Sequence, residues 1–223
     1  RVGTVDGDIV LDFFAGSGTL GEAVLNINRG AGCRSFILVQ LPEQLQGGQF
    51  PTIAELCRER MRRVIKKLND EEAGKLASTI GEKRIFGFKA FKLAESNFNP
   101  WQAEVPTGDT ATLTKQLEFH ASHLREGRTP ADILYEILLK SGFPLTTQVE
   151  KLTLAGKTVY SVADGAMLIC LDDALTHDLI KAIADRKPER VICLDEGFAG
   201  NDQLKTNAVQ TMKARGVTSF KTV

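Results

Sequence analysis

The sequence predicts an α/β chain with a parallel sheet ahead of a smaller tail, on three observations. Ile9, Val10 and Leu11 form a continuous apolar run, Gly16, Ser17 and Gly18 mark a sharp turn, and Thr19–Asn28 places Leu20, Ala23, Val24 and Ile27 at helical spacing. Glu150–Leu154, Lys157–Val162 and Ala166–Leu171 are short β-prone runs joined by Ala155-Gly156 and Asp164-Gly165, the spacing of an antiparallel meander. Arg190–Leu194, Gln203–Arg215 and Val217–Lys221 then alternate strand, helix and strand, so the tail reads as a small α/β unit of its own. The 223 residues are 43% hydrophobic, enough for one large packed domain or two small ones.

The first strand is apolar throughout, which suits burial on both faces. Gly30 and Gly32 close the helix that follows, and Ser35–Val39 reads as a second doubly buried strand. Strand, helix, strand is the crossover unit of a parallel sheet. Gly16, Gly18 and Gly21 also match the G-x-G-x-x-G spacing of a dinucleotide site. Glycines there let the main chain bend tightly and a ligand lie against it, while the N–H groups of the helix start favour polar or anionic groups. Asp12, at the end of the strand, separates the readings. Its carboxylate would repel the pyrophosphate of a nicotinamide or flavin dinucleotide. It suits a cation, and S-adenosylmethionine carries a sulfonium and an ammonium. The floor and wall of that site are Asp12, Phe14, Ala15, Gly16, Ser17, Gly18 and Thr19. In nucleoside-binding sheets the end of the second strand commonly offers an acid to the ribose hydroxyls. Gln40 stands there, with Glu43 the nearest acid, and an amide also bonds two hydroxyls. Both equally read as polar loop residues.

The run Asp12-Phe13-Phe14-Ala15-Gly16-Ser17-Gly18-Thr19 is similar to the D-x-F-x-G-S-G-T cofactor motif of the amino-methyltransferases that modify adenine N6 or cytosine N4 in DNA. Phe36-Ile37-Leu38-Val39-Gln40-Leu41-Pro42-Glu43, Ser96-Asn97-Phe98 and the tail from Val191 through Asp195-Glu196-Gly197-Phe198 to Lys205 resemble the modification subunit of type III restriction–modification systems. The resemblance spans most of the chain. It implies a partial S-adenosylmethionine-dependent methyltransferase sheet, Rossmann-like and incomplete at its amino end, over residues 1–102. A carboxyl-terminal α/β (α+β) domain for dimerisation and assembly would follow over residues 103–223. The function it implies is site-specific adenine-N6 methylation of double-stranded DNA by a homodimer that works with a restriction subunit carrying helicase and nuclease activity. Cytosine N4 stays open as the acceptor, and a non-catalytic dimerisation and restriction-subunit docking module is the rival from another class. In the resembled subgroup the catalytic D-P-P-Y motif and the target-recognition segment precede the glycine motif, and neither occurs in this sequence. No catalytic residue is therefore assigned in this chain, which is expected to be inactive alone. The chain opens on Arg1 rather than Met and reaches its first strand at Ile9, which reads as the middle of a longer polypeptide.

Lys and Arg total 28, as do Asp and Glu, so whole-chain charge neither supports nor excludes a nucleic-acid partner. Cys33, Cys57, Cys170 and Cys193 show no C-x-x-C spacing and read as reduced thiols of a cytoplasmic protein. No apolar run approaches the roughly 20 residues that span a bilayer, and no signal peptide precedes the first strand, so no membrane partner is expected.

Pro51-Thr52 opens a long helix to Asn69, with Ile53, Leu56, Cys57, Met61, Val64, Ile65 and Leu68 on its apolar face. Arg58, Arg60, Arg62, Arg63, Lys66 and Lys67 lie opposite, as a phosphate-contacting stripe or a solvated face balanced by Glu55 and Glu59. Ile85–Leu93 alternates as a strand that extends the sheet. Asn99-Pro100-Trp101 is partly similar to an N-P-P-W catalytic motif, but it has one proline and follows the cofactor motif, so it reads as a turn. Ala103–Asp109, with Pro106 and Gly108, reads as a boundary, and Thr110–Glu126 as a helix. His120 and His123 lack an accompanying acid–histidine cluster and read as surface or interface residues. Thr129-Pro130 starts a helix over Ala131–Ser141 that Gly142 ends, and Asp172 or Asp173 caps another running to Arg186. Asp195, Glu196 and Asp202 gather past the carboxyl end of a strand, where α/β sheets often place functional groups. Without a fixed third ligand or a histidine they read as loop and helix-capping groups, and no metal is expected.

Overall fold

The computed structural model describes residues 3–30, 32–74, 85–99 and 124–223. The chain divides into two compact units, Arg1–Lys92 and Leu93–Val223.

In the first unit, β1 (Ile9–Asp12) leads through the glycine turn into α1 (Thr19–Asn28) and returns as β2 (Ser35–Leu38), parallel to β1 with Asp12 opposite Leu38. α2 (Ile53–Ala73) follows, a turn longer than its pattern predicts, and the Thr52 side chain caps it by accepting from the Glu55 N–H. Its apolar face packs Met61 and Leu68 with Leu25 of α1 and Phe86, with Phe36 and Leu38 of β2 partly buried against them. Among the described residues only that face of the sheet is covered. Ile9 and Leu11 are 66% and 56% exposed, and Ile37 and Val39 50% and 48%, so the expected burial of these strands on both faces does not hold among the described residues. The side chains alternate along each strand, and the covering helices α1 and α2 both belong to one side.

Ile85–Leu93 is not a strand either. The main chain of Phe86 pairs with a side chain instead of a ladder: Asn69 Nδ2 donates to Phe86 O at 3.1 Å, and Phe86 N donates to Asn69 Oδ1 at 2.9 Å. Phe86 is drawn into the core with Phe88 partly buried against it, while Ile85, Phe91 and Leu93 stay exposed. Alternation supplied the residues for a strand, but among the described residues no neighbouring strand bonds it.

The second unit is a five-stranded sheet in the order β3 (Val149–Leu154), β4 (Lys157–Val162), β5 (Met167–Cys170), β6 (Arg190–Cys193) and β7 (Ser219–Thr222). β3, β4 and β5 form the expected antiparallel meander, and β5, β6 and β7 run parallel. Meander and tail are thus one mixed sheet, where the sequence suggested a separate tail. α3 (Pro130–Lys140) packs Ile133, Leu134, Ile137 and Leu138 against Met167, Ile169 and Ile192. α4 (His177–Asp185) and α5 (Asp202–Ala214) bring Leu179, Ile183 and Met212 to Leu168, Cys170, Val191 and Cys193. Alternate residues of β5 and β6 therefore enter opposite cores, which is why these strands are apolar throughout. α4 is capped by Thr176, whose hydroxyl accepts from the Leu179 N–H, and not by Asp172 or Asp173. Asp172 is engaged elsewhere, accepting from Lys157 Nζ at 2.7 Å and from the Ala174 N–H at 3.0 Å.

Glu136 on α3 gathers the segment before it. Ser96 Oγ donates to its Oε1 at 2.5 Å, and the Asn97 main-chain N and Nδ2 donate to its Oε2 at 2.6 and 2.7 Å. Lys140 Nζ lies 2.7 Å from Oε1, and the Glu136 side chain is 14% exposed. Burial alone pushes this carboxyl up, but the Lys140 ammonium, the Ser96 hydroxyl and the Asn97 N–H outweigh it and hold the group at about 2. A carboxyl depressed on folding stabilises the fold above its ordinary range, and the contribution is lost as pH falls toward the folded value. Lowering the pH from about 5 to 2 is expected to remove on the order of 2 kcal/mol through this group. Urea unfolding at each pH checks this: Glu136→Gln starts less stable, and its stability falls less over that range.

Leu124–Glu126, the described end of the expected Thr110–Glu126 helix, is not helical, and Leu124 instead bridges to Phe98. The expected boundary over Ala103–Asp109, the rest of that helix with His120 and His123, and Pro100-Trp101 lie outside the described residues. Among the described residues no helix is long and apolar enough to cross a membrane.

Candidate cofactor site

The glycine turn begins where β1 ends. Asp12 accepts from its own turn, its Oδ1 taking the Phe14 N–H at 3.1 Å, while the main chain of β2 closes around it through Val39 N to Asp12 O at 2.8 Å and Ala15 N to Val39 O at 3.1 Å. Ala15 is buried beneath the turn, whereas Phe14 is 82% exposed with its ring 5.1 Å from that of Phe13. Gly16 and Gly18 both take positive φ, 52° and 86°, and Gly18 stands at the N-cap of α1 without any side-chain cap. The two glycines answer different demands. A Cβ on Gly16 would meet nothing nearer than the Phe14 carbonyl at 4.0 Å, so this side of the turn is open to a ligand. A Cβ on Gly18 would lie 2.9 Å from Cys57 Sγ and 3.3 Å from Met61 Sδ, and one on Gly21 2.9 Å from Leu38 Cδ1. Gly18 and Gly21 thus let α1 press against α2 and β2.

Gln40 meets the turn itself: its Oε1 accepts from the Gly16 N–H at 2.7 Å, and its Nε2 donates to Leu41 O at 3.2 Å. Glu43 is exposed, its main-chain oxygen accepting from the Ile53 N–H at 3.0 Å. Ser17 and Thr19 do not cap α1. Both hydroxyls accept from Arg60 Nη1 of α2, at 2.7 and 3.1 Å. The sequence placed Arg60 only in a basic stripe, and its reach to the turn is a contact across more than 40 positions that local spacing does not carry. The one available signal was its place beside Met61, on the flank of the buried face.

Elsewhere on that stripe, Arg58 pairs with Glu55 at 3.4 Å, and Arg62 and Arg63 with Glu59 at 3.8 and 2.8 Å, the pattern of a solvated helix face. Cys57, Cys170 and Cys193 are buried, Cys33 is exposed, and all are unbridged. Burial pushes the Cys57 thiol up, with Arg60 lowering it and Asp12 raising it. It stays protonated beneath the turn. Asp195 is ion-paired with Lys205, Asp202 lies in the first turn of α5, and Asn201 caps that helix by accepting from the Leu204 N–H at 2.9 Å. No group of three or more metal-ligating side chains occurs among the described residues.

The turn offers one carboxylate, an exposed aromatic ring and an open main-chain surface, a donor set that fits a cationic nucleoside. Asp12 is bonded to the turn through the Phe14 N–H, and Glu22 faces Arg60 at 2.5 Å.

No family model matches the chain. It is 29% identical over 210 residues to the type III restriction-modification enzyme EcoPI Mod subunit of Escherichia phage P1, covering 90% of this chain and 29% of that protein. The chain is similar to type III Mod subunits. It is also 28% identical to the EcoP15I Mod subunit of Escherichia coli, over 91% of this chain and 30% of that protein. The StyLTI Mod subunit of Salmonella typhimurium is 36% identical over 93 residues, 39% of this chain and 13% of the relative. The chain thus spans about three tenths of the length of the first two Mod subunits, and the similarity to them runs through both of its units.

Proposed function

We propose that the first unit holds S-adenosylmethionine within a DNA adenine-N6 methyltransferase of the type III modification kind. Asp12 carries this reading. Its carboxylate stands at the end of β1, beside the open main chain of Gly16, where it favours an ammonium and disfavours a pyrophosphate. Phe14 offers its ring to the flat part of the ligand, and Ser17, Gly18 and Thr19 line the start of α1. Gln40, held on Gly16, reaches the ribose edge together with Glu43. These residues bind and orient; none is placed to take a proton. When bound, the sulfonium supplies the methyl group.

Methylation of an adenine in duplex DNA requires the base to leave the stack and enter a pocket beside the cofactor. The D-P-P-Y segment that builds such a pocket in the resembled family is absent from this sequence. The bare apolar face of Ile9, Leu11, Ile37 and Val39 supports a reading in which further polypeptide covers the sheet. For Leu93–Val223 we propose dimerisation and docking of a restriction subunit. Among the described residues the edge strands β3 and β7 each have one neighbour, which leaves backbone groups for strand pairing.

Transfer of a labelled methyl group into double-stranded DNA tests the proposal. This chain alone is expected to give none, and the same chain joined to an amino-terminal segment carrying D-P-P-Y and a recognition region is expected to label adenine. Turnover by the chain alone, or labelling of cytosine, would contradict it.

A further inference from the structure

Arg60 lies on α2 yet holds side chains on both sides of Gly18. Nη1 donates to Ser17 Oγ at 2.7 Å and to Thr19 Oγ1 at 3.1 Å, while Nε and Nη2 donate to Glu22 Oε2 at 3.1 and 2.5 Å. Serine and threonine at a helix start ordinarily turn back to cap the first N–H groups. Here the N-cap is Gly18, which has no side chain to cap with, and the hydroxyls on either side of it accept from the guanidinium instead. Each hydroxyl keeps its own hydrogen to donate away from Arg60. The two hydrogens of Nη1 set both oxygens while Nε and Nη2 of the same plane hold Glu22, a three-way placement that a lysine ammonium on a flexible stem does not fix.

Charge makes the arrangement specific. A guanidinium at a helix N-terminus adds to the positive end of the helix dipole and opposes any cationic ligand there. Glu22 cancels it, and the Arg60 and Glu22 side chains are each 35% exposed, so the pair lies half out of water.

We propose that Arg60 is the positioning residue of the glycine turn and Glu22 its counter-ion, aiming the Ser17 and Thr19 hydroxyls without placing net positive charge beside a sulfonium. The proposal rests on the S-adenosylmethionine reading above. Two ligands separate its parts, because S-adenosylhomocysteine keeps the nucleoside, ammonium and carboxylate of S-adenosylmethionine and lacks only the methyl group and, with it, the sulfonium charge.

The test is calorimetric titration of the full chain with each ligand. Glu22→Gln, which exposes the Arg60 charge, is expected to weaken S-adenosylmethionine about tenfold while S-adenosylhomocysteine stays within about twofold. Arg60→Met is expected to weaken S-adenosylhomocysteine about tenfold through loss of the two aimed hydroxyls, and S-adenosylmethionine by a smaller factor, because the Glu22 carboxylate left unmatched attracts the sulfonium. The double variant Glu22→Gln, Arg60→Met should return the ratio of the two affinities to that of the unaltered chain, since no charge is left unmatched. A merely structural role would lower both affinities together in Glu22→Gln and leave their ratio fixed, which would overturn the proposal. So would unchanged affinities in Arg60→Met. If the unaltered chain binds neither ligand, the cofactor reading fails and this proposal falls with it, an outcome distinct from binding with an unmoved ratio.

Discussion

Gly18→Ala is expected to cost the first unit about 3 kcal/mol and to abolish cofactor binding. Two effects add. An alanine at φ 86° is held in the left-handed region, at about 1–2 kcal/mol. Its Cβ would also stand 2.9 Å from Cys57 Sγ and 3.3 Å from Met61 Sδ, and relieving such overpacking costs about 1–3 kcal/mol. Gly16→Ala is the matched comparison. It has the milder φ of 52° and an open surround, so about 1 kcal/mol of stability is expected to go, whereas the added methyl occupies the surface on which the ligand would lie. Urea unfolding and ligand titration of the two variants check this: Gly18→Ala loses both fold and binding, and Gly16→Ala loses mainly binding. Equal stability losses would remove the distinction drawn between a packing glycine and a ligand-facing one.

Asp12→Asn is expected to weaken S-adenosylmethionine by about 10- to 100-fold, the worth of a hydrogen bond to a charged group of about 1.5–3 kcal/mol. The fold should tolerate the change. Asp12 is partly exposed, its one turn bond goes from the Phe14 N–H to Oδ1, and an asparagine carbonyl accepts that bond equally well. A loss of affinity at nearly unchanged stability would therefore report on the ligand.

The strand–turn–helix–strand unit was legible because its signals are local: an apolar run, glycines, then helical spacing up to Asn28. The meander was legible for the same reason, through Ala155-Gly156 and Asp164-Gly165. What failed depended on partners far along the chain. Ile9, Leu11 and Ile37 are as apolar as a doubly buried strand requires, but an apolar run does not say whether a second layer lies against it. Ile85–Leu93 alternates correctly and finds Asn69 rather than a strand. Thr176 took the cap expected from Asp172 or Asp173 because the helix begins only at His177, and Asp172 instead accepts from Lys157 on β4. In the site, Asp12 and the glycines could be singled out by position, whereas the Arg60 clamp joins α2 to the turn through side chains alone. Gln40 was singled out for its place at the end of β2, but its bond to the Gly16 N–H could be seen only once the two strands were brought side by side.

The most direct test of the central claim is equilibrium titration of the chain with S-adenosylmethionine and, in parallel, with oxidised nicotinamide dinucleotide, for the unaltered protein and for Asp12→Asn. The account predicts saturable binding of S-adenosylmethionine that Asp12→Asn weakens at least about tenfold, and no binding of the dinucleotide. Dinucleotide binding that improves when the Asp12 charge is removed, with S-adenosylmethionine unbound in either protein, would contradict it.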